Sequence, residues 1–301
     1  MHDGAAMRRL LLSIPLGLAA LACGESRAPV SEKLSEPARA SRTLPLALVD
    51  PPALEGSMAP SPVTAGDDVI ATWIEPAGGD AHRVRFATLD RETRRWSAAS
   101  TVVESAELLP NSVDFPVAVR AASGAYYVPL LMRGREPHAS FVHLATSRNG
   151  REWRVLGPVH DDTTETEHGH ASLFAEGVAV RAVWLDGRAW IEGGPMAIRS
   201  ALVGADGAIR DASVLDPRVC DCCQTAGVAT PEGALVAYRD RDQRELRDIA
   251  AVSRTTEGWT APQRVHADGW TISGCPVNGP QAAALGRSEE RRVGKECRSR
   301  W

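Results

Sequence analysis

The sequence predicts an all-β protein of the propeller kind. Three observations lead there. No stretch after Leu44 carries apolar residues at helical period. Short alternating or β-branched runs are punctuated by Gly, Asp, Asn and Pro. One strand pattern then returns at a nearly constant interval.

The strand candidates are residues 69–74, 83–88, 117–121, 141–146, 178–185, 234–238 and 249–253. Gly78-Gly79-Asp80, Asn149-Gly150 and Asp206-Gly207 fall between strands, where tight turns need positive φ or a short capping side chain. The repeat is IATWIEP (70–76), PLLMRG (129–134), RAVWLDGR (181–188) and LVAYRDR (235–241). Each copy is an apolar strand that reaches a bulky anchor and then a charged turn. The anchors Trp73, Leu131, Trp184 and Tyr238 are 58, 53 and 54 residues apart, about the length of one four-stranded propeller blade.

Of 301 residues, 44% are hydrophobic, ample for a large core, and the net charge is −4. That balance advertises no basic surface, and no nucleic-acid partner is expected. At the front, Met7-Arg8-Arg9 precedes an apolar stretch, residues 10–20, too short to span a bilayer permanently. Ala20-Leu21-Ala22-Cys23 then resembles a bacterial lipobox. Residues 1–22 are therefore expected to be a lipoprotein signal peptide, with Cys23 lipidated because its sulfur carries the lipid anchor. Residues 23–43 read as a flexible tether. The expected setting is exported, as a periplasmic or outer-membrane lipoprotein whose anchor partner is the lipid bilayer. Residues 287–301, RSEERRVGKECRSRW, look like the in-frame translation of a sequencing adapter and are expected to be an artefact. The partial propeller domain is then 44–286, and by the repeat interval it ends after about four blades.

Setting aside Cys23 and Cys297 leaves Cys220, Cys222, Cys223 and Cys275. An even number in an oxidising compartment favours two disulfides over a thiolate metal site. Adjacent Cys222 and Cys223 would rarely bond each other, so one clustered cysteine is expected to reach Cys275. His160, His168 and His170, with Asp161, Asp162, Glu165 and Glu167, form a second polar cluster. His168 and His170, two apart on a strand, would point the same way and permit joint ligation. The acidic, Thr-rich setting suits a solvated loop better, and no metal or other cofactor is expected.

Residues 146–153, TSRNGREW, resemble an Asp-box (BNR) turn, with Asn149 where Asp is usual. Thr88-Leu89-Asp90 with Trp96, and Ser253 with Gly258-Trp259, look like degraded copies. More widely, VDFP (113–116), TEHGHASL (166–173), WLDGR (184–188), CDCCQT (220–225), YRDRDQRELRDI (238–249) and DGWTISGCPVNGP (268–280) resemble bacterial exported proteins described as exo-α-sialidase-like. The resemblance runs from about Gly56 to Pro280. It implies a six-bladed sialidase-like β-propeller whose polar motifs face a central funnel.

For such a fold the funnel candidates are Asp114, Glu167, Arg188, Arg239, Arg241 and Arg247 as catalytic groups. His168, Asp186, Asp240, Glu245, Asp248 and Asn278 are the substrate-binding candidates. Sialidases clamp a carboxylate with three arginines, because planar guanidiniums form bidentate pairs. They attack with a tyrosine activated by a carboxylate. Here the tyrosines are Tyr126, Tyr127 and Tyr238, and the Phe-Arg-Ile-Pro arginine motif is absent. Two functions stay open: an exo-acting glycoside hydrolase on acidic sugars, or a non-catalytic surface propeller that binds glycan or protein. Residues 239–248 also read as a solvated loop of alternating charge.

Overall fold

A computed structural model describes residues 48–284. The expected signal peptide, Cys23, the tether and the segment 287–301 lie outside the described residues. The domain consists of four antiparallel sheets, each a meander. The first contains β1 (Met58–Ala65), β2 (Asp68–Gly78) and β3 (Ala81–Asp90), with its outer strand split into β4 (Arg95–Trp96) and β5 (Ser100–Ser105). The second contains β6 (Val119–Arg120), β7 (Tyr126–Arg133), β8 (Ser140–Ser147) and β9 (Arg154–Pro158). The third runs β10 (His168–Glu176), β11 (Ala179–Asp186), β12 (Ala197–Val203) and β13 (Ile209–Asp216). The fourth is β14 (Ala226–Thr230), β15 (Gly233–Arg239) and β16 (Ile249–Thr255), whose outer edge is shared by β17 (Gly258–Trp259) and β18 (Gln263–Arg264).

The first strands of successive sheets pack in series, β1 on β6, β6 on β10 and β10 on β14. Apolar side chains fill the spaces between sheets. Ile70, Ile74 and Phe86 meet Val128 and Leu130; Tyr127 and Leu144 meet Val180 and Trp184; Leu185 and Ile198 meet Val236 and Tyr238. Because the inner sheets are covered on both faces, β11 is buried along nearly its whole length rather than on alternate residues.

All four repeat anchors lie on the second strand of their sheets, β2, β7, β11 and β15. Burial explains the pattern. A buried indole or phenol still needs an acceptor for its polar hydrogen. Trp73 Nε1 donates to Glu75 Oε1 at 2.7 Å, and Trp184 Nε1 donates to Asp186 Oδ2 at 2.9 Å, each two residues along its own strand. Tyr238 Oη donates to Asp216 Oδ2 at 2.8 Å. Of residues 117–121 only Val119–Arg120 pair as strand, since Val117 N turns back onto the carbonyl of Phe115 beside Pro116.

The turn after β8 is capped twice. Ser147 Oγ accepts from Gly150 N at 2.9 Å, and Asn149 Oδ1 accepts from Arg151 N and Glu152 N at 2.9 and 3.0 Å. Trp153 packs edge-on against Phe86 of the preceding sheet and donates to Ser100 Oγ. Asp90 caps the turn after β3 through Glu92 N and Thr93 N. Asn replaces Asp at no geometric cost, because the turn uses only one carbonyl-type oxygen.

Arg181 is fully buried on β11, with Nε 2.6 Å from Glu176 Oε2 and one Nη 2.8 Å from Asp211 Oδ2. Arg254 contacts the same two carboxylates, so they keep a cation without Arg181. Arg181→Met is therefore expected to melt within about 3 °C of the parent, since the thioether fills the same space and the partly exposed carboxylates keep Arg254 and water. Arg181→Ala leaves a void and is expected to lose about 2–4 kcal/mol. Thermal melts of both variants check this; an equal loss would show that the charge, not the packing, holds the sheet.

Candidate functional site

The loops entering the first strands bring polar side chains together at one end of the sheets. Glu167 precedes β10 and is fixed by a bridge to Ser140 of β8 and by Gly187 N, which donates to its carbonyl at 2.9 Å. Asp114 lies on the loop entering β6, and its Oδ2 accepts from His170 N at 2.6 Å. The two carboxyls share a cleft of about 200 Å³, also lined by Asn111, Arg133, His138 and Ser140. Burial pushes the Asp114 carboxyl above the usual range, against the pull of His170 and two backbone N–H groups. Burial also raises Glu167, His170 offsets part of that, and the nearby Asp221 and Asp114 carboxylates push it further up. Backbone crowds in closely here. A Cβ on Gly169 would lie 2.8 Å from Asp114 Oδ2, and one on Gly187 would lie 2.6 Å from the Glu167 carbonyl.

A second cluster surrounds His168, which is fully buried. Its Nδ1 lies 3.2 Å from the carbonyls of Ser140 and Thr166, and its Nε2 lies 2.9 Å from Asp162 Oδ2 and 3.8 Å from Asp186 Oδ2. Arg188 grips Asp186 through Nε at 2.7 Å and Nη2 at 2.9 Å. Burial alone would raise Asp186, but Arg188, Trp184 and His168 together hold it below its ordinary value. Asp162, His168 and Asp186 could converge on a cation, although the Arg188 fork and the Trp184 indole already occupy Asp186. His170 does not join them. A register shift between Gly169 and Ser172, with His170 at φ +51°, breaks the two-residue alternation and sends the two imidazoles to different neighbours. Asp161 is exposed and Glu165 pairs with Arg135, so the seven-residue cluster expected from sequence is divided.

The four cysteines are free thiols, and the two expected disulfides are not formed. The turn 220–223 points three sulfurs at a common centre, with Cys220 Sγ 3.8 Å from Cys222 Sγ and 3.5 Å from Cys223 Sγ. Those separations are far beyond a bond of about 2.05 Å. Arg247 Nη1 donates to Cys220 Sγ at 3.1 Å. Thiol contacts from Cys222 and Cys223, reinforced by Arg247, push the Cys220 thiol down, while its neighbour Cys223 is pushed up.

The charged stretch beyond β15 is internally neutralised. Glu245 bridges Arg241 at 2.9 Å and Arg247 at 2.7 Å, and Arg241 also reaches Asp221 at 2.9 Å. Arg239 donates to the carbonyls of Asn278 and Arg247 and stacks on Trp270 at 4.4 Å. Asp248 accepts from Gly269 N and Trp270 N, and Asp240 Oδ1 accepts from Arg241 N. Asn278 N donates to Cys223 Sγ at 3.4 Å. These residues bind the loop 265–284 to the fourth sheet. The cleft instead takes Arg133, His138 and Asn111, which no local motif marks. Only Arg133 follows a pattern, two residues past the anchor Leu131, where Glu75 and Asp186 stand in their own repeats.

No family model and no curated protein matches the sequence. Solved structures do. An α-L-arabinanase of Penicillium chrysogenum, crystallised with arabinobiose, has a TM-score of 0.50 at 12% identity, over 75% of this chain and 70% of that one. An α-L-arabinofuranosidase of Lactobacillus brevis has a TM-score of 0.46 at 14% identity, covering 73% and 86%. A β-1,2-mannobiose phosphorylase from Listeria innocua has 0.45 at 11%, covering 71% and 77%. At such identities the likeness concerns fold. The chain is a β-propeller, the fold it has in common with the arabinanase.

Proposed function

We propose that this chain is an exported, glycan-acting propeller in which Asp114 and Glu167 form the working carboxylate pair. One observation carries the reading: two carboxyls, both raised by burial, line a single cleft of about 200 Å³. Glycoside hydrolysis needs one carboxyl that keeps its proton near neutral pH and a second that ionises. Glu167, raised further by Asp221 and Asp114, is the acid. Asp114, held in place by the backbone N–H of His170, is its partner across the cleft. Arg133 and His138 on the cleft wall suit a sugar that carries a carboxylate. The capped turns after β3 and β8 and the motif order support the sialidase-like, six-bladed reading. The signal residues 1–22 and Cys23 support export and a lipid anchor.

The test is a panel of aryl glycosides that includes sialosides, uronides and arabinofuranosides. Glu167→Gln is expected to lower kcat by about 100-fold or more, with the melting temperature within a few degrees of the parent. Gly169→Ala, which pushes on the Asp114 carboxyl, is expected to lower it by about 10-fold. Binding on a glycan array without hydrolysis, undiminished in Glu167→Gln, would establish the non-catalytic alternative. Neither binding nor hydrolysis would overturn the glycan reading.

A further inference from the structure

We infer that Cys220, Cys222 and Cys223, joined by Cys275, form a thiolate site for a thiophilic d10 cation, Zn²⁺ or Cu⁺. The geometry is that of a ligand set. The three sulfurs of the 220–223 turn lie within 4.8 Å of one another, with two separations of 3.5 and 3.8 Å. A tetrahedral ion with bonds of about 2.3 Å to sulfur sets its ligands about 3.8 Å apart. Cys275 Sγ lies within 4.8 Å of both Cys222 Sγ and an Asp221 oxygen, and Cys275 is exposed enough to swing inward as the fourth ligand. The surroundings suit a site of excess negative charge. Arg247 Nη1 meets Cys220 Sγ at 3.1 Å, Asn278 N donates to Cys223 Sγ, and Arg241 neutralises Asp221 beside them. Such outer contacts orient and stabilise metal thiolates. Sulfur-only ligation selects soft or borderline cations over magnesium or calcium.

The site would also do mechanical work. Among the described residues no strand follows β18, and the chain from Val265 to Ala284 is held by scattered bonds to Asp248, Arg239, Gln224 and Cys223. A cation shared by Cys275 and the 220–223 turn would pin this segment across the fourth sheet. Binding exchanges the cation for thiol protons, so the step involves no oxidation or reduction.

The experiment loads the reduced 301-residue chain anaerobically with Zn²⁺, or with Cu⁺ against a competing chelator, and measures bound metal after gel filtration. One equivalent is expected, and the tighter ion names the cation. Co²⁺ in place of Zn²⁺ is expected to give thiolate-to-metal charge-transfer absorption, a readout that needs no variant. Cys222→Ser with Cys275→Ser, both on the more accessible side, is expected to abolish that absorption and at least 100-fold of the affinity. Removing the metal should speed proteolysis within 265–284. Absence of binding by the reduced chain, or unchanged binding by the double variant, would overturn the site. So would isolated protein four hydrogens lighter than its reduced form and free of metal. None of these outcomes depends on activity toward a glycan.

Discussion

Replacing Asp186 with Asn is expected to cost the fold about 3–5 kcal/mol, the range for breaking a buried, hydrogen-bonded ion pair. Asp186 is fully buried at the end of β11 and serves four partners: the Trp184 indole at 2.9 Å, the Arg188 fork at 2.7 and 2.9 Å, His168, and Arg199 Nε at 3.9 Å. An amide can accept from one of them but would turn its NH₂ toward another donor. For a domain of this size the loss corresponds to roughly 10 °C or more in melting temperature. Asp161→Asn is the control. Asp161 also meets Arg188, at 3.3 Å, but it is largely exposed, and exposed pairs are worth about 0–1 kcal/mol. The sign with pH follows from the lowered carboxyl. Its contribution is full above the unfolded value, near 3.8, and is lost as pH falls through the lower folded value. Urea titrations at pH 7 on both variants decide the matter, and equal losses would show that Asp186 is not the centre of the cluster.

Asp186 also illustrates what the sequence discloses. The repeat was visible because a buried aromatic and its acceptor travel together: Trp73 with Glu75, and Trp184 with Asp186. The second repeat was faint for a physical reason. In that sheet the fully buried aromatic is Tyr127, four residues before the half-buried Leu131, so the anchor position carries less of the packing. The capped turn after β8 was legible because its chemistry is local, confined to Ser147, Asn149 and Gly150.

The site was legible only where a motif held both residue and context. Asp114 and Glu167 were singled out beside their motifs, and the fold places them in one cleft. His138 arrives there through the β7–β8 hairpin, a tertiary placement that leaves no trace in nearby residues, whereas Arg133 keeps the repeat register of Glu75 and Asp186. The arginines after β15 show the converse. Their alternating charges suggested both a funnel lining and a self-neutralising loop, and only distances reveal Glu245 between Arg241 and Arg247. For the cysteines, an even count said nothing about where the sulfurs point. The bulge at Gly169–Ser172 likewise escapes any argument built on strict alternation, and with it went the shared face of His168 and His170.

Acidification from pH 6.5 to 4 is expected to remove about 3 kcal/mol of stability through one imidazole, His160. The ring is 3% exposed, stacks on His168 at a centroid distance of 4.3 Å and packs near Phe141 at 5.8 Å. Burial, and then the neighbouring His168, push it down to about 4 from its ordinary 6.5, with Asp186 and Asp162 pulling weakly the other way. Between those two values the unfolded chain binds a proton that the native chain refuses. Stability therefore rises with pH across this window and falls on acidification. His143, also lowered by burial, contributes with the same sign. Asp186 adds nothing until the pH drops below about 4, because its carboxyl is lowered from 3.8. The window thus separates the imidazoles from the ion pair. His160→Gln keeps a polar group near the Asp162 carbonyl, which His160 Nδ1 meets at 3.1 Å, but cannot titrate. In urea unfolding at pH 7 and pH 4.5 the variant should lose most of the difference that the parent shows. An unchanged difference would place the acid sensitivity on other groups and show that His160 accepts its proton without leaving the stack.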